Sequence, residues 1–549
     1  MAVKINYRNR VLEYEKATTL QTISGDVKKD FKYDILVATI NNKLVSLSAE
    51  INKDCNVEFY DLSTRLGNFV YQKGLGFLFS KAVKDILNCD VKMISDVDKA
   101  IECEILSNDL ISEVTVQKIK LRMNELCEQK LPISKIMVSR KDAIEYFNKV
   151  NQVDKANSLR YISNSTISLY KLDDTLDYLY GVLPNNTSLI NKFNIKYIEN
   201  NRVALLYPFL YDLESNLKYN KNEKLLETIK SQIDYRESIN ITNSSELNTA
   251  ISTGKYGDVI RLSEALQNNE LFSIADKISK DKNIKIVLIT GPSSSGKTTV
   301  SKKLGLYLTS KNLKPISISI DDFLIDLDKR PLDKDGKPEL EKIEAIDTKQ
   351  FNDKISSLLN GERVNLPKFD FINAKQVISD DKIKMEENSI LIIEGIHAFN
   401  EKLTEMIPDK SKFKLFVCPI VPLNIDNHNL FRSTDNRLLR RIIRDNKERC
   451  FTASHTLKLW RKVRLSEQEN ILPYMKDADA IFNTYLLYEL GVLKTYVEPL
   501  LFSISETDEN YEEAIRLINL FRVILAIPSD SIPDDSIIRE FIGGSCFNE

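Results

Sequence analysis

The sequence predicts an α/β chain of three or more domains whose back half is a parallel β-sheet between two helical layers. Three observations carry that expectation. At 549 residues the chain exceeds what one hydrophobic core usually organises. From residue 281 onward, short apolar runs that read as buried strands alternate with helical patterns, as in a parallel sheet covered on both faces. Before that point the pattern differs: short strands, then mixed helices and strands, then a polar helical stretch.

Taken in order, residues 1–62 read as a small β unit. Within it "DILVATINNKLVSLSAEI" alternates or runs apolar, and "NN" marks a turn between pairing segments. Residues 63–215 mix both element types. "LGFLFSKAVKDIL" has helical spacing, whereas "STISLYKL" and "RVALLYPFLY" look extended. Residues 216–280, with "NEKLLETIKSQIDY" and "DVIRLSEALQ", read as a helical connector. The α/β unit occupies 281–500, and 501–549 holds an amphipathic helix, "YEEAIRLINLFRVILAI", stopped by Pro528 and followed by an extended tail.

Lys plus Arg total 77 against 79 for Asp plus Glu, a formal net charge of −2 that creates no global field for nucleic acid or anionic lipid. The opening "MAVKINYRNR" lacks a signal-peptide apolar run, and no stretch approaches the ~20 apolar residues of a membrane span. A cytoplasmic chain without membrane contact is expected. The seven cysteines (Cys55, Cys89, Cys103, Cys127, Cys418, Cys450, Cys546) never form C-x-x-C and read as free thiols. The three histidines are His397, His428 and His455. Residues 1–396 contain none, so a histidine-based metal site or general base in the front half is excluded.

"IKIVLIT" (284–290) is a buried-strand run, "GPSSSGKT" (291–298) fits G-x-x-x-x-G-K-[ST], and "KTTVSKKLGLYLTS" continues as a helix. Gly291 and Gly296 allow backbone angles that turn successive N–H groups, including those of Ser293, Ser294 and Ser295, toward one anion. The helix terminus at Lys297, Thr298 and Thr299 adds its positive end. Lys297 reaches β- and γ-phosphates and Thr298 offers a hydroxyl to Mg²⁺, so ATP and Mg²⁺ are the expected cofactors.

Two further strands end in carboxylates, where a parallel sheet collects its catalytic groups. "KPISISIDDF" ends in Asp321 and Asp322, and "SILIIEGIHAF" places Glu394 at the position of a metal-associated acid. Asp321 is assigned as the base, with Asp322 as the alternative. In "NRLLRRIIRDNKER" (436–449), Arg437, Arg440, Arg441 and Arg444 share a third of a helical wheel, opposite Leu438, Leu439, Ile442 and Ile443. This arginine face reads as a lid that closes over the transferring phosphoryl group.

Together "GPSSSGKTT", "SIDDF", "ELEKIEAIDTKQF", "LPKFDF", "LIIEGIHAF" and "RLLRRIIRD" resemble the uridine kinase and phosphoribulokinase family over roughly 284–485. The resemblance implies a P-loop NTPase-type α/β/α sandwich and ATP-dependent transfer of a phosphoryl group to a hydroxyl, most often a nucleoside's 5′-OH. The family's D-x-F aspartate, its catalytic base, lands on Asp321. Substrate contacts fall on Asp321, Glu341, Phe369 and Arg437. Three positions depart from the uridine kinase pattern: Glu341 replaces a ribose-binding aspartate, Phe369 a tyrosine, and Ala374 a base-contacting histidine.

In the front half, "ILVATINNKLVSLSAEINKDCNVEFYDL" resembles the β-grasp TGS domain of threonyl-tRNA synthetase. "GNFVYQKGLGFLFSKAVKDIL" resembles the opening of that enzyme's α+β editing domain. The resemblance divides the front into a TGS-like domain (1–62) and an editing-like domain (63–215). Lys73 and Phe77 stand where that family carries H-x-x-x-H, so hydrolysis is not expected. Binding, regulation or oligomer formation is expected instead, with RNA as a candidate partner of the front half. The rival expectations are a kinase acting on a non-nucleoside metabolite and a nucleotide-controlled RNA-binding regulator.

Overall fold

The computed structural model describes residues 2–96, 99–214, 216–332, 336, 338, 339, 341–370 and 373–547. Strands Ala2–Tyr7 and Arg10–Glu15 form a hairpin whose turn residues Arg8 and Asn9 have φ of 43° and 61°, the twist that two-residue hairpins require. Ala2–Tyr7 runs parallel to Cys55–Asp61, which pairs antiparallel with Ile35–Ile40, and Ile35–Ile40 in turn pairs antiparallel with Lys43–Val45. Helix Leu20–Asp26 packs Leu20 and Ile23 under this mixed sheet, against Ile5, Val57 and Phe59.

Helix Arg65–Leu87 follows, capped by the Thr64 hydroxyl. It is buried on nearly every side because two layers enclose it. Helix Glu113–Glu128 lies against it, and Val91, Cys103, Val203 and Leu205 of the antiparallel four-stranded sheet Asn194–Glu199, Arg202–Leu206, Ala100–Ile105 and Val91–Ser95 share its core. A three-stranded sheet of Ile133–Ser139, Thr166–Leu172 and Thr175–Asp177 completes this unit.

The stretch expected to be a connector contains helices Glu223–Ser238, Ser244–Ser252 and Tyr256–Lys280, but it does not act as a spacer. Leu225 and Ile229 enter one core of the back-half sheet, and Leu271, Ile274 and Ile278 enter the core on its other face. Their apolar residues recur at helical spacing, and the parallel sheet needs both faces covered.

That sheet has the order Lys314–Ser319, Ser389–Glu394, Ile286–Thr290, Lys412–Cys418, Ala480–Asn483, with every neighbouring pair parallel. Strand Ile286–Thr290 is central and wholly buried. The tail also differs from expectation. Its first helix ends at Leu520, and a short helix, Arg539–Ile542, replaces the extended end. Ile537 and Phe541 join the core beside Val300 and Leu304, so the tail is part of the α/β unit.

A small hairpin, Asn424–Asp426 paired with Asn429–Leu430, leaves the α/β unit and enters the front half. There His428 places Nδ1 2.6 Å from Asp177 Oδ2 and Nε2 2.7 Å from Asp90 Oδ1, with Lys155 Nζ 2.7 Å from Nδ1. Burial lowers the imidazole's affinity for protons, but the two carboxylates win and push its pKa up to about 10. The sequence reading excluded histidine from the front half. The fold imports one, because the exclusion counted positions along the chain and not neighbours in space. Lys73, on helix Arg65–Leu87, donates to Asn429 Oδ1 of the same hairpin at 3.3 Å and lies 3.6 Å from the Tyr180 ring centroid. No helix among the described residues is long and apolar enough to cross a membrane.

Candidate active site

The loop between strand Ile286–Thr290 and helix Lys297–Ser310 is shaped by close packing. A Cβ on Gly291 would lie 1.9 Å from the Val417 carbonyl oxygen of the neighbouring strand, so only glycine fits. Ser294 (φ 58°) and Gly296 (φ 86°) take left-handed backbone angles that curl the loop around a hollow. The Ser294 and Ser295 hydroxyls are buried there without a hydrogen-bond partner. Lys297 Nζ donates to the carbonyls of Gly291 (3.0 Å) and Pro292 (3.3 Å). Burial lowers its pKa, while Glu394, Asp321 and Glu540 act against that shift. Thr298 is exposed at the loop's mouth.

The carboxylates assemble from neighbouring strand ends. Ser319 and Glu394 are register partners, which puts Asp321 two residues beyond the pair. Ser319 Oγ donates to Glu394 Oε1 at 3.3 Å. Burial, and then the nearby Asp321, raise the Glu394 pKa to about 7 against the pull of Lys297. Asp321 opens into the cleft although protein surrounds it. Its pKa is raised by burial and drawn back first by Lys297. Asp322 turns away and accepts the Phe369 N–H at 3.2 Å. Geometry thus separates two aspartates that the sequence left as alternatives. One is exposed and feels the Lys297 charge; the other fastens a hairpin.

That hairpin is Val364–Asp370 paired with Lys375–Ile383. It carries buried Phe369, with the Arg330 guanidinium 5.1 Å from the ring centroid, and Ala374 sits at its turn with φ 53°. Glu341 feels the charges of both Asp321 and Lys297. Its pKa is raised by burial and restrained first by Arg441. Its backbone carbonyl accepts from His397 Nε2 (2.9 Å) and Ser466 Oγ (3.3 Å).

The arginine helix, Ser433–Arg449, is not the open lid expected from its wheel. Residues 435–443 are all buried, on both faces. Arg437 forms a two-pronged pair with Glu467 and donates to the Ser293 carbonyl at 3.2 Å. Arg440 pairs the same way with Glu489 and donates to the Thr484 carbonyl at 2.8 Å. Arg441 donates to Ser293 Oγ at 2.7 Å and to Asp445 at 3.1 Å. Arg444 donates to Asp445 at 3.2 Å, and its charge acts on Lys297. The physical reason is desolvation. Guanidinium groups packed between helices Ala453–Asn470 and Glu489–Phe502 require carboxylates, and those carboxylates leave Arg437 and Arg440 no reach into the cleft. They brace the loop from behind.

Sequence reasoning missed Glu467, whose Oε1 accepts the Ser293 N–H at 3.0 Å, and Glu540, whose Oε2 accepts from the Thr299 hydroxyl at 2.6 Å. Only Glu467 had a signal, its helical i+3 spacing from Arg464, with which it pairs at 2.7 Å.

The donor set suits a nucleoside triphosphate with Mg²⁺. Among the described residues no cluster of three or more His, Cys, Asp or Glu side chains forms a self-sufficient metal cage. Mg²⁺ at such sites is held by a hydroxyl, one or two carboxylates, water and phosphate oxygens, which Thr298 and Glu394 match.

A glycine loop joining a central parallel strand to a helix, faced by carboxylates on two adjacent strand ends, defines a P-loop kinase. The family model described as Phosphoribulokinase / Uridine kinase family matches residues 286–486. A uridine kinase from Mycoplasma genitalium is 32% identical over 198 residues, 36% of this chain and 83% of that protein. The chain belongs to the phosphoribulokinase/uridine kinase family. Its N-terminal region is similar to threonine–tRNA ligases. That of Clostridium kluyveri is 23% identical over 248 residues, 43% of this chain and 38% of the ligase. The chain therefore spans less than two fifths of the length of that ligase. A solved D-glycerate 3-kinase from Cryptococcus neoformans is 16% identical, covering 34% of this chain and 80% of that one with a TM-score of 0.26.

Proposed function

We propose that the protein transfers the γ-phosphoryl group of ATP to the 5′-OH of a nucleoside. The observation that carries this reading is Asp321, a carboxylate open to the cleft and electrostatically coupled to Lys297 of the phosphate loop. ATP with Mg²⁺ supplies the electrophilic phosphorus and a partly neutralised leaving group. Loop amides and Lys297 hold the triphosphate, and Thr298 with Glu394 place the metal. Asp321 orients the acceptor hydroxyl and accepts its proton. The raised pKa of Asp321 moves it toward the range where a carboxylate serves as a base.

Two features support a nucleoside acceptor: the similarity to a uridine kinase and the buried Phe369 ring on the hairpin above Asp321. Phe369 carries no phenol hydroxyl and Ala374 no polar side chain, so a relaxed choice of base is expected. For the front half we propose binding in place of hydrolysis, with RNA as the ligand class. The similarity to threonine–tRNA ligases supports it, as does Lys73, which is spent on Asn429 and Tyr180.

Radiolabelled ATP tested with nucleosides, sugar phosphates and other hydroxylated metabolites examines the acceptor. Phosphorylated nucleosides are expected, and none with Lys297→Ala. Transfer only to a non-nucleoside overturns the acceptor while leaving a kinase; normal transfer by Lys297→Ala overturns the site. Salt-sensitive tRNA binding by the full chain is expected, and no binding at low salt removes the RNA proposal.

A further inference from the structure

The C-terminal segment lies on the phosphate loop. Ile537 Cγ2 is so close to Gly296 that a Cβ there would come within 2.6 Å of it. Three residues on, Glu540 Oε2 accepts from the Thr299 hydroxyl at 2.6 Å and from the Thr299 N–H at 3.3 Å. Thr299 is in the first turn of helix Lys297–Ser310, whose free N–H groups and positive dipole end form the anion-binding feature of such a loop. The Glu540 carboxylate also acts electrostatically on Lys297 and Glu394, which places it beside the phosphate hollow. The segment is held by discrete anchors: Ser536 Oγ donates to Glu264 at 2.5 Å, and Asp535 pairs with Lys303 at 3.0 Å.

We propose that Glu540 sets the protein's affinity for its nucleotide by taking the donors of Thr299 that a phosphate oxygen needs. This rests on the kinase reading. A carboxylate and a phosphate oxygen both require those donors, and two unshielded anions at this distance repel. Nucleotide entry therefore displaces the 533–543 segment, and its anchors set the cost of that displacement. The ligand class competing with Glu540 is a nucleoside triphosphate, and the carboxylate acts as a positioning residue, outside the chemical step.

The test uses the full chain and a fluorescent ATP analogue with Mg²⁺. Glu540→Ala removes both the charge and the acceptor that occupies the Thr299 donors. It is expected to tighten binding about tenfold, the factor recovered when a site closed nine-tenths of the time is released. The KM for ATP should fall in parallel while single-turnover transfer stays constant. Ser536→Ala, which loosens an anchor without touching the loop, is expected to shift affinity in the same direction. Unchanged affinity in both variants, with wild-type binding intact, overturns the proposal and leaves the kinase reading standing. Weaker binding with a lower single-turnover rate also overturns it, since Glu540 would then assist the metal. Absence of binding by the wild type instead removes the kinase reading itself.

Discussion

The pair Arg440–Glu489 separates a brace from a lid. Both side chains are wholly buried. Arg440 also donates to the Thr484 carbonyl at 2.8 Å and stacks 4.9 Å from the Phe541 ring. Replacing Arg440 by Met leaves Glu489 charged in an interior with no counter-ion, a change that typically costs about 3–5 kcal/mol. Glu489→Met strands the guanidinium at similar cost. The double substitution removes both charges and is expected to recover most of the loss. It will not recover all, because Asn436 Nδ2 and the Leu486 N–H also donate to Glu489. A thermodynamic cycle should then show a coupling of about 2–3 kcal/mol. Calorimetry of the full chain is the assay, read on the transition that nucleotide shifts, because a chain of several domains does not unfold in one step. A stable Arg440→Met protein with abolished phosphoryl transfer would refute the brace and restore the lid.

Three further outcomes follow. Asp321→Asn is expected to lower kcat by about 10²–10⁴ with little change in ATP binding, whereas Asp322→Asn should mainly raise the acceptor KM by loosening the Phe369 hairpin; steady-state kinetics with both substrates distinguish them. On the proposed reading Glu394 holds the metal as a carboxylate, so kcat/KM should rise with pH through about 7, the value to which burial and then Asp321 raise its pKa, and Glu394→Gln should lose that limb. Stability moves oppositely: the folded state holds this proton more tightly than the unfolded chain, whose value is near 4.5, so the contribution of Glu394 falls as pH rises from there to about 7 and is flat above. Finally, Gly291→Ala drives a methyl into the Val417 carbonyl, 1.9 Å away, and should yield protein that fails to bind the ATP analogue and unfolds earlier on heating.

The α/β unit was readable because its signals are local. An apolar strand, two glycines and a lysine at fixed spacing specify a strand, a turn and a helix whichever domain surrounds them. Asp321 and Glu394 could be placed at strand ends for the same reason, since one follows an alternating strand pattern and the other an apolar run. The arginine helix misled because a wheel shows which residues share a face and not what lies against it. Glu467, 30 residues from Arg437 along the helix pair, and Glu489 decide that face, and neither forms a motif with it.

The sequence by itself determined the parallel sheet, the phosphate loop and the carboxylates at its strand ends, because backbone conformation and side-chain periodicity are written in neighbouring residues. Only the tertiary structure decided that Asp321 faces the cleft while Asp322 ties a hairpin, that His428 enters a front half lacking histidine, and that Glu540 reaches Thr299 from 241 positions away. Those contacts join residues through burial and charge pairing, which depend on distance in space.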